Sequence, residues 1–191
     1  MFFLSNIFPT FSEESKVKII NKGNVTRIET EGNLEITHKL DCIKVEEIKN
    51  TYTPADLYPA AMKCFSEGKY EQGSVIYGLA GLYGRFDIYR VTDKTAHQAV
   101  KMLIISNTQN LPQKTKLTWK AYFDKSIKQT ITKVCVIAKK LGYPTYYPRY
   151  MIQHGMKTLI GTTEPPIVAD FNPEEAWQNS LDKYLHCEKT E

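Results

Sequence analysis

The chain has 191 residues, 42% of them hydrophobic and 24% charged, with a formal net charge of +4. These fractions are those of an ordinary globular protein and exclude a chain too polar to bury a core. At this length roughly 70% of the unfolded surface can be buried, so the fold needs neither metal nor disulfide, and no stretch approaches the ~20 apolar residues of a membrane span.

The first residues, Met1 to Pro9, are apolar, but they lack a basic n-region and are interrupted by Ser5, Asn6 and Pro9. They do not read as a secretory leader, so the expected location is the cytoplasm. Residues 12 to 50 carry strand signals. Val17-Lys18-Ile19-Ile20 runs into the turn sequence Asn21-Lys22-Gly23-Asn24, and Val25-Thr26-Arg27-Ile28 follows. After Glu31-Gly32-Asn33, the apolar residues Leu34, Ile36, Leu40, Ile43 and Val45 alternate with polar ones. That period of two predicts two or three antiparallel strands, with a helix covering their apolar face.

The pattern changes at Thr53-Pro54-Ala55-Asp56, which joins a capping hydroxyl, a proline at the first helical position and an acid in the first turn. From here to the end the chain reads as helices. The first ends at Gly68, the second covers about 69–83, and the third spans about 87–105. After a loop at 106–115, the fourth covers about 118–141 and ends at Gly142. Its predicted apolar stripe is Phe123, Ile127, Ile131, Val134, Ala138 and Leu141. A fifth helix runs from Pro148 to about Leu159. The last starts at Asn172-Pro173, with Ala176, Trp177, Leu181, Tyr184 and Leu185 on its apolar side. The predicted class is therefore α+β, predominantly α. A β-rich section over 1–52 precedes an array of about six helices over 53–191, packed as one domain.

Leu57, Ala60, Ala61 and Cys64 stand at the packing positions of the first helix. Gly68-Lys69-Tyr70 marks the turn, and Gly73, Tyr77 and Ala80 follow at steps of four and three. Residues 54–84 on this pattern resemble one tetratricopeptide-type helical hairpin. Glycine replaces the usual alanine at Gly73, and no second copy is present. The resemblance implies protein–protein binding. The second helix also carries Gly78, Gly81 and Gly84. Each interior glycine costs about 1 kcal/mol relative to alanine, which points to close helix–helix approach as compensation.

Charge is segregated. Residues 107–160 hold ten Lys/Arg and one acid, and residues 161–191 hold two lysines and seven acids. On the fourth helix Lys125, Lys128, Lys133, Lys139 and Lys140 lie opposite the apolar stripe, either as a solvated face or as a docking surface for an acidic partner. The acidic C-terminal helix could neutralise them. Nucleic acid is a weaker alternative, because Arg149 is the only arginine in this section and no nucleic-acid motif appears.

Cys42, Cys64, Cys135 and Cys187 are far apart and form no CxxC pair, so they read as small buried free thiols. No cofactor or metal is expected, since His38, His97, His154 and His186 make no ligand pair. Asp93 stands one helical turn before His97 and could orient it as a general base. Arg85, Asp87, Arg90 and Asp93 alternate in sign, which suits either an ion-pair network or the rim of a groove. The segment from Gly142 to Tyr150 holds Tyr143, Tyr146, Tyr147, Arg149 and Tyr150, which either pack the flanking helices or offer anchors to a partner. The leading expectation is a non-catalytic protein-binding domain, an adaptor or an inhibitor of the bacterial immunity or antitoxin kind. The alternatives are a small hydrolase-like enzyme using His97 and Asp93, or a basic nucleic-acid-binding domain.

Overall fold

The computed structural model describes residues 17–22 and 25–188. The apolar start, the strand signals before Val17 and the turn residues Gly23 and Asn24 lie outside them. Strands β1 (Val17–Lys22) and β2 (Val25–Thr30) pair antiparallel, with Val17 opposite Thr30 and Lys22 opposite Val25. Among the described side chains of this hairpin, the expected cover by a helix is not seen. Val17 and Ile19 are exposed, and the hairpin is anchored at its base, where the Thr30 hydroxyl donates to the Gln153 carbonyl.

The alternating residues after Gly32 form no further strand, which corrects the β-rich reading of this stretch. Residues 31–53 cross the helices as irregular chain with one 3-10 turn at Val45–Glu47. The cause is a competing acceptor. Asp56, fully buried, takes the backbone N–H of Thr37 at 2.7 Å and of His38 at 2.8 Å, so these amides serve a helix N-terminus and not a sheet ladder. Leu34, Leu40, Ile43 and Val45 still pack on the core, while Ile36 is exposed.

Helix α1 (Pro54–Ser66) starts on the reciprocal box of Thr53 and Asp56, and Gly68, at φ +75°, takes the chain into the turn. Helix α2 (Tyr70–Arg90) is the axis of the molecule and is buried on nearly every side. Its glycines each admit a different neighbour. A β-carbon at Gly73 would lie 2.5 Å from the Phe65 ring of α1, and one at Gly84 would lie 2.8 Å from Val100. Gly78 gives the same access to Val134 and Gly81 to Tyr184.

The expected third helix is broken. The chain leaves α2 at Arg90 and resumes helix at α3 (Gln98–Thr108). Between them Thr92 donates to the Pro166 carbonyl and Val168 donates to the Arg90 carbonyl, an extended pairing that draws the chain off the helical path. Helix α4 (Gln113–Leu141) is five residues longer at its start than expected, and its packed face is rotated. Ser126, Thr130, Val134 and Ala138 are buried. Trp119 stacks on Phe65 at 4.3 Å, whereas Ile127, expected inside, is exposed.

The expected fifth helix is two short ones, α5 (Arg149–Ile152) and α6 (Met156–Ile160). The chain ends with α7 (Pro173–Ser180), prolonged by a π-helical turn at Leu181–Leu185. Ala176, Trp177, Leu181 and Leu185 are buried as expected, but Tyr184 is exposed.

The cysteines are not free thiols. Cys42 is bonded to Cys64 and Cys135 to Cys187, so one disulfide fastens the irregular N-terminal segment to α1 and the other fastens the C-terminal end to α4. Spacing along the chain gave no sign of either pair, because both bridge elements that only the tertiary fold brings together.

Candidate functional site

His97 and Asp93 do not form a dyad. They lie in the loop ahead of α3, not one turn apart on a helix. The His97 ring nitrogen Nε2 meets the Val91 carbonyl at 2.9 Å. Both Asp93 oxygens are engaged elsewhere: Oδ1 accepts from the Thr95 amide and hydroxyl at 2.9 and 2.7 Å, and Oδ2 accepts from the Lys157 amide at 2.9 Å. Asp93 therefore caps α6. Burial pushes its carboxyl upward, but the donors from Thr95 and Lys157 outweigh this and hold it below its ordinary value. Gly155 stands so close to Asp93 and Ala96 that a β-carbon there would clash.

The tyrosine-rich turn divides into inward and outward residues. Tyr146 and Tyr150 donate to Asp87 Oδ2 at 2.9 and 2.7 Å. Arg90 Nε donates to Asp87 Oδ1 at 2.8 Å, and its guanidinium lies over the Phe86 and Tyr146 rings at 5.1 and 5.0 Å. Burial raises the carboxyl of Asp87, and Arg90 and the two phenols pull it back down. Burial, then the adjoining carboxylate, push both phenols well up. Of the four charged residues expected to alternate here, Asp87 and Arg90 form an ion pair that ties α2 to the turn through the two phenols, whereas Arg85 lies over Tyr89 and Asp93 is bound elsewhere. Tyr143 stacks on Phe86 at 5.9 Å and reaches Glu174 at 3.3 Å. Arg149 pairs with Glu35 at 3.0 Å beside Gly32, and Tyr147 is 57% exposed.

The lysines of α4 point outward. Lys125, Lys128, Lys139 and Lys140 are all exposed. Together with Lys114, the residues Lys125, Lys128 and Lys139 fall within about 60° of arc around α4. Among the described residues, no carboxylate of the acidic C-terminal segment pairs with this ridge. Among them, the segment's contact with the ridge is Lys139 donating to the Glu188 carbonyl at 2.7 Å. Lys120 pairs with Asp124 at 2.6 Å, and Lys133 pairs with Glu71 on α2.

Sequence reasoning missed a groove beside this ridge, about 800 Å³ in volume. The 3-10 turn with Lys44 and Glu46, the α1–α2 turn with Gly68 and Lys69, and one flank of α4 enclose it. Its lining combines Val75 and Ile137 with the rings of Tyr70 and Tyr122, stacked 6.3 Å apart. Gln72 donates to the carbonyls of Cys42 and Ile43 and holds the far wall in place together with the Cys42–Cys64 bond. No periodicity marks such a feature, since its walls come from three separate parts of the chain.

Among the described residues no cluster of three His, Cys, Asp or Glu side chains is placed to hold a metal, and no helix is long and apolar enough to cross a membrane. Comparison with known proteins finds no matching family model, no matching curated protein and no matching solved structure.

Proposed function

We propose that this chain is a protein-binding domain that docks an acidic partner along the outward face of α4. The observation that carries this reading is the exposed row of Lys114, Lys125 and Lys128, continued by Lys139 at the Glu188 carbonyl, on one side of a 29-residue helix. Four ammonium groups held in a row by a rigid helix raise the encounter rate with an acidic surface and suppress basic ones. The α1–α2 hairpin adds support through its tetratricopeptide-type pattern, a family whose usual work is protein binding. An adaptor and an inhibitor of the immunity or antitoxin kind are both forms of this reading.

The two disulfides favour an oxidising compartment over the cytoplasm, where thiols are kept reduced. The docking reading does not depend on which compartment it is. A photo-crosslinking residue placed at Lys128 tests it against one placed at Lys94, in the loop before α3. The position on α4 should capture an acidic protein, with a yield that falls as salt is raised, and Lys94 should not. Equal capture from both positions, or capture insensitive to salt, would contradict the reading.

A further inference from the structure

The groove and the lysine ridge share α4, and together they define more than a charged face. Tyr122, Thr132, Lys133, Val136 and Ile137 line the groove, while Lys125 and Lys128 occupy the same stretch of helix one step around its circumference. Val136 marks the seam. It is 64% exposed, an aliphatic side chain held open beside stacked tyrosines in an otherwise basic section. Scattered surface valines need no explanation. A valine that continues the apolar floor of an 800 Å³ groove has a use.

We infer that this groove receives a bulky apolar side chain from an acidic segment of the partner protein, whose carboxylates meet the adjoining lysines. The inference rests on the docking reading above and deepens it by naming what the partner presents. Charge complementarity selects the occupant. Lys125 and Lys128 are exposed on α4 about one helical turn from the lining residues Tyr122 and Thr132, and Lys44 stands on the facing wall, where Lys69 is paired with Glu67. Lys133 is bridged to Glu71, which removes one of the two carboxylates at the rim. Tyrosines beside lysines would also suit a stacked nucleobase. No arginine lines the groove, however, and its two tyrosine rings are stacked on each other, so a polypeptide is the better fit. Bulky apolar anchors in desolvated pockets supply most of the affinity at protein interfaces, and charges at the rim supply rate and selectivity.

The test uses three fluorescently labelled peptides and one oligonucleotide, with anisotropy as the readout. The first peptide places a tryptophan among glutamates, the second has alanine for the tryptophan, and the third has lysines for the glutamates. The oligonucleotide is oligothymidylate. The wild-type chain should bind the first peptide, bind the second at least about tenfold more weakly, and ignore the third. Val136→Gln, at an exposed site and checked for unchanged thermal unfolding, should weaken the first peptide toward the second and leave the second unchanged. Lys125→Glu combined with Lys128→Glu should weaken both.

Equal binding of the tryptophan and alanine peptides, both lost in the lysine variant, would overturn the groove and leave the basic face standing. Failure of both acidic peptides at low salt would overturn both readings. Oligothymidylate binding more tightly than the first peptide and weakened by Val136→Gln would assign the groove to nucleic acid and overturn the inference.

Discussion

Asp87 is the residue on which the tyrosine-rich turn depends. One buried carboxylate accepts from Arg90 Nε and from the Tyr146 and Tyr150 hydroxyls, joining the end of α2 to chain some sixty positions later. Removing one partner of a buried ion pair strands the other, which typically costs about 3–5 kcal/mol. Asp87→Asn should lower unfolding stability by that order in urea, and Asp87→Leu combined with Arg90→Met should recover part of the loss. Asp93 makes a different kind of prediction. Its pKa is depressed in the folded state, so its contribution is present above the unfolded carboxylate value of about 3.9 and is lost as pH falls through the folded value. The difference in urea midpoint between wild type and Asp93→Asn should therefore be constant near neutrality and shrink below about pH 4. The sequence could offer Asp93 and His97 as neighbours only on the premise of a continuous helix. Extended pairing with residues 166–168 broke that helix and turned a candidate base-orienting carboxylate into a helix cap.

Among elements, α1 and α7 were legible because their caps and apolar faces are local properties, and α4 was legible in its existence and in its end at Gly142. Thr53 with Asp56, and Asn172 before Pro173, form the caps their residue types promise. The glycines of α2 were legible too, as signs of close approach, although which helix each one admits depends on tertiary packing. The register of α4 was not. Ser126 and Thr130 lie on its buried face with hydroxyls, and Ser126 hides its own by donating to the Tyr122 carbonyl, so counting apolar residues shifted the stripe toward Phe123 and Ile127. The third strand failed for a related reason. Alternation marks which residues turn inward but does not supply a ladder partner, and Asp56 claimed the amides first. The disulfides carry the prediction at this scale. Each should contribute roughly 2–4 kcal/mol, and the bond with a sequence separation of 52 about 0.8 kcal/mol more than the bond with 22, by loop-closure entropy. Urea unfolding of Cys135→Ser with Cys187→Ser, against Cys42→Ser with Cys64→Ser, measures the difference.

For the molecule as a whole, the distribution of charge outweighs its sum. A net +4 conceals a basic middle and an acidic end. The fold leaves Lys114, Lys125 and Lys128 of the basic helix exposed and ties the acidic end to that helix near Lys139. The site was therefore half-legible: Lys125, Lys128, Lys139 and Lys140 could be read as a face from helical spacing, but the groove beside them could not. Tyr146 and Tyr150 left the candidate interface because a buried carboxylate captured their hydroxyls, a pairing invisible at a separation of sixty residues. Titrating isotopically labelled protein with polyglutamate, and following backbone amide shifts by NMR, tests the central claim most directly. The account predicts salt-dependent shifts concentrated between Lys125 and Lys139 on α4, with the amides of Asp93 and His97 unmoved. Shifts centred on the loop before α3, or none along α4 at low salt, would contradict it.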